Sequence, residues 1–266
     1  MKSGEVWRVA GVARGAGVYW LSVGAHLLSL FVTWLPTGAT KLLIVPALGY
    51  AVYREMGRVP LLYAAALLAS WVGDYSMWVA DDGLAAQGRA YFTAGVTAFG
   101  VAHGCYVWLA VGALALRGGR DEGRRLTPKP TTTVLFVSSA ALVVVLEVPY
   151  LLALYAMLLA WLLLLTGTLS RKPAGPHREA IEEGAFAPQT AVAPYRAAFL
   201  GTVAFALSDG LIGLQLSGAV PVAPPWSTVA IMGLYAGGQW GLRGLATGAS
   251  AEPRRVHRAP VRLRGL

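Results

Sequence analysis

From Tyr19 to Trp240 the sequence repeatedly runs for about twenty residues with almost no charge, the length an α-helix needs to cross the hydrocarbon core of a bilayer. This constrains the fold more than any single motif. In lipid the backbone can satisfy its polar groups only within helices or a closed barrel, and apolar runs of this length read as helices packed in one bundle. Only 13% of residues are charged and 56% are hydrophobic, against about 25% charged in an ordinary soluble domain. A soluble fold is therefore excluded. The single cysteine, Cys105, rules out an internal disulfide and a thiol-rich metal site. The first apolar run, near Tyr19, has no small-residue cleavage site and continues as an ordinary span.

Eight spans are expected, at 18–34, 38–53, 59–80, 91–116, 131–147, 150–169, 195–216 and 226–246. Residues 1–17 then form a cytoplasmic N-terminal segment, 18–246 an all-α membrane domain, and 247–266 a basic, disordered tail. The net charge of +9 invites a nucleic-acid reading, but position argues against it. With the N-terminus inside, twenty of the twenty-two Lys and Arg residues fall on one side; Arg89 lies on the other, and Lys41 sits within the second span. Such a bias predicts an even span count with both termini in the cytoplasm. The two long loops, 117–130 and 170–194, are charged and rich in Gly or Pro and read as solvated linkers on that face. Rows of small residues, Gly95, Gly100 and Gly104 or Gly233, Gly237 and Gly241, are expected to let helix backbones approach closely.

Against this background the ionisable residues inside spans stand out. "LLASWVGDYSMWVA" carries Asp74 and "AFALSDGLIGL" carries Asp209, each about fifteen residues into an outward-running span and so at nearly one depth. A charge near the bilayer centre costs about 2.5–3.5 kcal/mol on insertion scales, so both carboxyl groups should face the bundle interior. Helical spacing puts Ser70, Gly73, Asp74 and Met77 on one stripe, and Phe205, Ser208, Asp209 and Ile212 on another. "FGVAHGCY" aligns Phe99, His103 and Tyr106, and "IMGLYAGGQW" aligns Met232, Tyr235 and Gln239. Each residue also has a plain structural reading: aspartates, amides and phenols tie helices together, a lone histidine packs neutral, and a lysine near a span end snorkels. His26 and Glu147 read as structural or interfacial, and the loop and tail histidines His177 and His257 carry nothing.

The ordered set resembles the YhhN family of lysoplasmalogenase-like membrane proteins. The matching pieces are Lys41 in "TKLLIVPALGYAVY", Ser70, Gly73 and Asp74 in "LLASWVGDYSMW", and Phe92, Gly95, Phe99, His103 and Tyr106 in "YFTAGVTAFGVAHGCY". They continue with Tyr155 and Met157 in "LLALYAMLLAW", Phe205, Ser208 and Asp209 in "GTVAFALSD", and Tyr235 and Gln239 in "GLYAGGQW". The likeness covers residues 40 to 242. One departure is that Pro46 stands five residues after Lys41, where the family often has a proline directly after the lysine. The resemblance implies hydrolysis of the vinyl ether bond of a lysoplasmalogen to a fatty aldehyde and a glycerophospho-alcohol.

The residues suit that chemistry on their own terms. Protonating the outer alkene carbon of a vinyl ether gives an oxocarbenium ion that water traps, and glycoside hydrolysis, through a similar cation, uses two carboxyl groups. Asp74 and Asp209 are the expected pair, with His103 relaying a proton or orienting water. Tyr235, Gln239 and Lys41, with Ser70, Ser208 and Tyr106 around them, are expected to hold the polar head of a lysophospholipid. No cofactor, metal or nucleic acid is expected. Three other readings stay open: Asp74, His103 and Asp209 as ligands of a catalytic metal, a lipid or proton-coupled transporter built on the same buried carboxyls, and a non-catalytic lipid-binding membrane protein. High Gly, Ala and Arg content points to a GC-rich bacterial genome, and so to a bacterial cytoplasmic membrane.

Overall fold

A computed structural model describes residues 3–81, 85–123, 150–171, 192–216 and 225–251. Among the described residues there are seven helices and no strand. They are α1 (Ser3–Ser29), α2 (Thr37–Met56), α3 (Leu61–Asp81), α4 (Ala85–Gly123), α5 (Tyr150–Arg171), α6 (Val192–Leu216) and α7 (Trp226–Ala251). Three of them, over Gly88–Leu116, Tyr150–Arg171 and Val192–Gln215, are long and apolar enough to cross a membrane. The others carry the polar groups that dilute their hydropathy, such as Lys41 and Arg54 on α2, Asp74 on α3, and Gln239 and Arg243 on α7. The expected span at 131–147, Glu147, His177, His257 and residues 252–266 of the expected tail lie outside the described residues, whereas 247–251 continue α7.

Several boundaries move. The first helix begins at Ser3 and stops at Ser29, so the expected span at 18–34 is cut short and the expected N-terminal segment is largely helical. Beyond Ser29 the backbone bonds tighten, Leu30 N–H to the Leu27 carbonyl and Phe31 N–H to that of Leu28, before Pro36 opens α2. The fourth helix runs on to Gly123, through residues read as linker, and α7 continues to Ala251. Helix α2 ends where Gly57 takes φ 71°, the left-handed region a glycine enters without strain, and its N–H reaches the Tyr53 carbonyl.

Helices adjacent in sequence pack together through most of the chain, and α7 folds back against α1, α2 and α4 to close the bundle. Tyr19, Leu48, Tyr63, Tyr106, Leu162, Phe205 and Leu242 fill the shared core. Helices α6 and α7 approach closely: a Cβ on Gly241 would stand 2.5 Å from the Gly201 Cα. Of the two expected glycine rows only Gly95 and Gly241 meet a neighbour; Gly100, Gly104, Gly233 and Gly237 face open space among the described residues. Helix faces, not residue counts, decide which small residue becomes a contact.

Pro46 sits inside α2 and cannot donate to the Leu42 carbonyl one turn earlier. The indole N–H of Trp71 on α3 fills that vacancy at 3.0 Å. The cross-helix bond ties α3, three residues before Asp74, to α2 one residue after Lys41.

Candidate active site

Asp74 ends a chain of buried hydrogen bonds. Tyr106 on α4 donates to Gln239 Oε1 on α7 at 3.1 Å, and Gln239 Nε2 donates to Ser70 at 3.2 Å and to the Tyr235 hydroxyl at 3.3 Å. Tyr235 in turn donates to Asp74 Oδ2 at 2.6 Å. The direction is fixed by the acceptor: a carboxylate can only accept, so the Tyr235 proton points to Asp74 and its oxygen is left to receive the amide N–H. Lys41 Nζ lies 3.8 Å from Asp74 Oδ1 and is the only member of this group with appreciable exposure, 20% of its side chain against 3% for Asp74.

Asp209 stands in different company. Tyr155 on α5 donates to its Oδ2 at 2.5 Å, and Asp209 is half-buried where Asp74 is 2% exposed. Among the described residues no cation pairs with it. The ring of His103 lies edge-on to Tyr155 at 5.1 Å and to Phe205 at 4.8 Å. Its Nδ1 is 2.7 Å from the Phe99 carbonyl, which can only accept, so Nδ1 carries the hydrogen and Nε2 presents a lone pair. That Nε2 is buried and has no hydrogen-bonding partner among the described residues.

The two carboxyl groups are connected through rings. From Asp74 the path runs through Tyr235 to Phe205 at 5.4 Å, on to His103, then to Tyr155 and Asp209. Phe99 leans on both Phe205 and Tyr235 and is admitted by Gly73, where a Cβ would come within 2.8 Å of its ring. The aspartates thus face one aromatic core from two sides, each held by its own tyrosine.

The other expected residues are placed as follows. Ser208 spends its hydroxyl on the Ile231 carbonyl of α7 at 3.0 Å, and Ile212, expected on the inward stripe of Asp209, is turned outward at 37% exposure. His26 is buried, with Nδ1 3.2 Å from Thr40 Oγ1. Among the described residues no three His, Cys, Asp or Glu side chains gather as metal ligands, so the geometry does not favour the metal reading of Asp74, His103 and Asp209. An open groove of 820 Å³ along α4, past Arg89, Thr93 and Thr97, contains neither aspartate. Tyr155, Phe99 and Phe205 were not assigned roles from sequence. The available signal was the aromatic at each position within a motif already quoted, but nothing in spacing alone pairs Tyr155 with an aspartate 54 positions away.

The YhhN family model matches residues 37–245, a segment holding every residue of both carboxyl networks. The chain belongs to the YhhN family. Neither a curated protein nor a solved structure matches it. In this YhhN protein the match begins at the first residue of α2 and ends within α7, so α1 and its His26 lie outside the family core.

Proposed function

We propose that this protein is a membrane-embedded hydrolase that opens the vinyl ether bond of a lysoplasmalogen, giving a fatty aldehyde and a glycerophospho-alcohol. The observation that carries the reading is the pair of carboxyl groups from separate helices, each held by a tyrosine, on either side of a core containing His103, whose Nε2 has no partner among the described residues. A reaction through an oxocarbenium ion needs one group to give a proton and others to stabilise the cation and guide water. The partly exposed ammonium of Lys41 is suited to the phosphate of the head group, while Tyr235, Gln239, Ser70 and Tyr106 shape the Asp74 side. The alkenyl chain would lie among the apolar helix faces or open toward lipid. Family membership and the three apolar helices support a place in the membrane; eight spans, cytoplasmic termini and a bacterial cytoplasmic membrane complete the proposal.

The test is mass spectrometry of 1-alkenyl lysophospholipids incubated with purified protein and with the Asp74→Asn/Asp209→Asn double variant. Aldehyde and glycerophospho-alcohol should appear in equal amounts with the wild type alone. Unchanged lipid in both samples, or equal release in both, would defeat the reading.

A further inference from the structure

The two carboxyl groups are not interchangeable. Asp74 receives a single hydrogen bond, from Tyr235 to Oδ2, but the Tyr235 oxygen is itself taken by Gln239 Nε2, and the Lys41 ammonium lies near Oδ1. A backed donor on one oxygen and a cation beside the other suit an ionised acceptor. Asp209 receives one donor, Tyr155, on Oδ2; its Oδ1 has no partner among the described residues and no cation attends it. It is also the more open of the two. An isolated charge in an apolar bundle is expensive, whereas a protonated carboxyl accepting one hydrogen bond at its carbonyl oxygen is not.

Building on the vinyl ether reading above, we infer that Asp209 is the proton donor, acting through Oδ1, that Tyr155 is its positioning residue, and that Asp74 remains the anion. The Oδ1 proton passes to the outer alkenyl carbon, the π pair forming the new C–H bond and leaving an oxocarbenium ion beside the Asp209 carboxylate. Water adds to the cationic carbon and gives a proton to His103 Nε2. The hemiacetal then collapses: imidazolium protonates the departing ether oxygen, and the hemiacetal O–H returns its proton to Asp209. The sum is one alkenyl ether and one water to one aldehyde and one alcohol, with both side chains restored.

Infrared spectroscopy of the purified protein reads this placement without requiring turnover. At neutral pH the wild type should have a carboxylic-acid C=O stretch that disappears in Asp209→Asn and persists in Asp74→Asn. In Tyr155→Phe the same band should move to higher frequency, because the carbonyl oxygen loses its donor; a merely structural tyrosine would not move it. With a 1-alkenyl lysophosphocholine, Tyr155→Phe should also lower kcat about tenfold at unchanged KM, the loss of one well-placed hydrogen bond. A band lost in Asp74→Asn instead, no band in the wild type, or an unshifted band in Tyr155→Phe would overturn the inference. A band that follows Asp209 in a protein that releases no aldehyde would leave the proton where we place it and defeat only the vinyl ether reading.

Discussion

Asp74 and Asp209 occupy matching places in sequence, each well inside an apolar segment and followed or preceded by small residues, yet their surroundings differ. Asp74 is sealed: a tyrosine donates to it, an amide backs that tyrosine and also meets a serine and a second tyrosine, and a lysine lies beside its other oxygen. Asp209 is held by one phenol and stands half-open, and that phenol lies against a histidine whose Nε2 has no partner among the described residues. The contrast teaches that residue type and depth locate a buried acid but do not assign its role. The proposed roles rest instead on a cation beside one acid and none, among the described residues, beside the other.

The sharpest way to break the comparison is to remove each charge in turn. Asp209→Asn, which cannot give a proton, should lower aldehyde release by about 10²–10⁴, the usual worth of a positioned general acid. Asp74→Asn keeps an oxygen for Tyr235 but loses the charge, and should cost about a hundredfold, the scale of one preorganised electrostatic contact. Initial rates with a 1-alkenyl lysophosphocholine measure both, with monodisperse elution in detergent as the check on folding. A larger loss in Asp74→Asn than in Asp209→Asn would reverse the two roles.

Part of the candidate site is legible in the sequence. Long uncharged runs dictate helices, and the cost of a charge in lipid turns Asp74 inward, so Ser70, Gly73 and Asp74 could be put on one stripe by periodicity alone. What periodicity cannot supply is the partner. Gln239 and Tyr106 are 133 positions apart, and which of several buried phenols meets which carboxyl depends on how helices rotate about their axes. The same limit explains the outward Ile212 and the four glycines of those rows that touch nothing, since an apolar residue is equally at home against lipid or protein. Pro46 reads as a helix defect in sequence; only packing supplies the Trp71 indole that completes it.

A second test acts on what lies between the two sides. Gly73 admits the Phe99 ring, so Gly73→Ala should force that ring away and destabilise the protein by about 1–3 kcal/mol, as overpacking does. Thermal unfolding in detergent measures it. Because Phe99 touches both Phe205 and Tyr235, activity should fall with either carboxyl arrangement, and a stable, fully active variant would mean that the ring wall does not organise the site.

A smaller effect is expected at the α2–α3 tie, and only on the Asp74 side. Trp71→Phe keeps most of the aromatic bulk but leaves the Leu42 carbonyl without its donor, at a cost of about 1 kcal/mol. The carboxylic-acid band assigned above to Asp209 should stay in place.

The weakest perturbation lies at the end of α7. Arg243 meets Glu55 Oε2 at 2.7 Å and lies over the Trp240 ring at 3.8 Å, joining the helix that carries Tyr235 and Gln239 to the one that carries Lys41. Both partners are partly exposed, at 21% and 27%, so solvent screens the pair. Glu55→Gln retains a hydrogen-bond acceptor and leaves the stacking untouched; it should cost under about 1 kcal/mol, less at high salt. The comparison is sharpened by where that small loss is felt. Lys41 and Gln239 sit on the two helices the pair connects, so a change in KM with kcat preserved would tie the latch to the Asp74 side, whereas a change in kcat alone would mean that motion at α7 reaches Asp209 through Phe205 and His103.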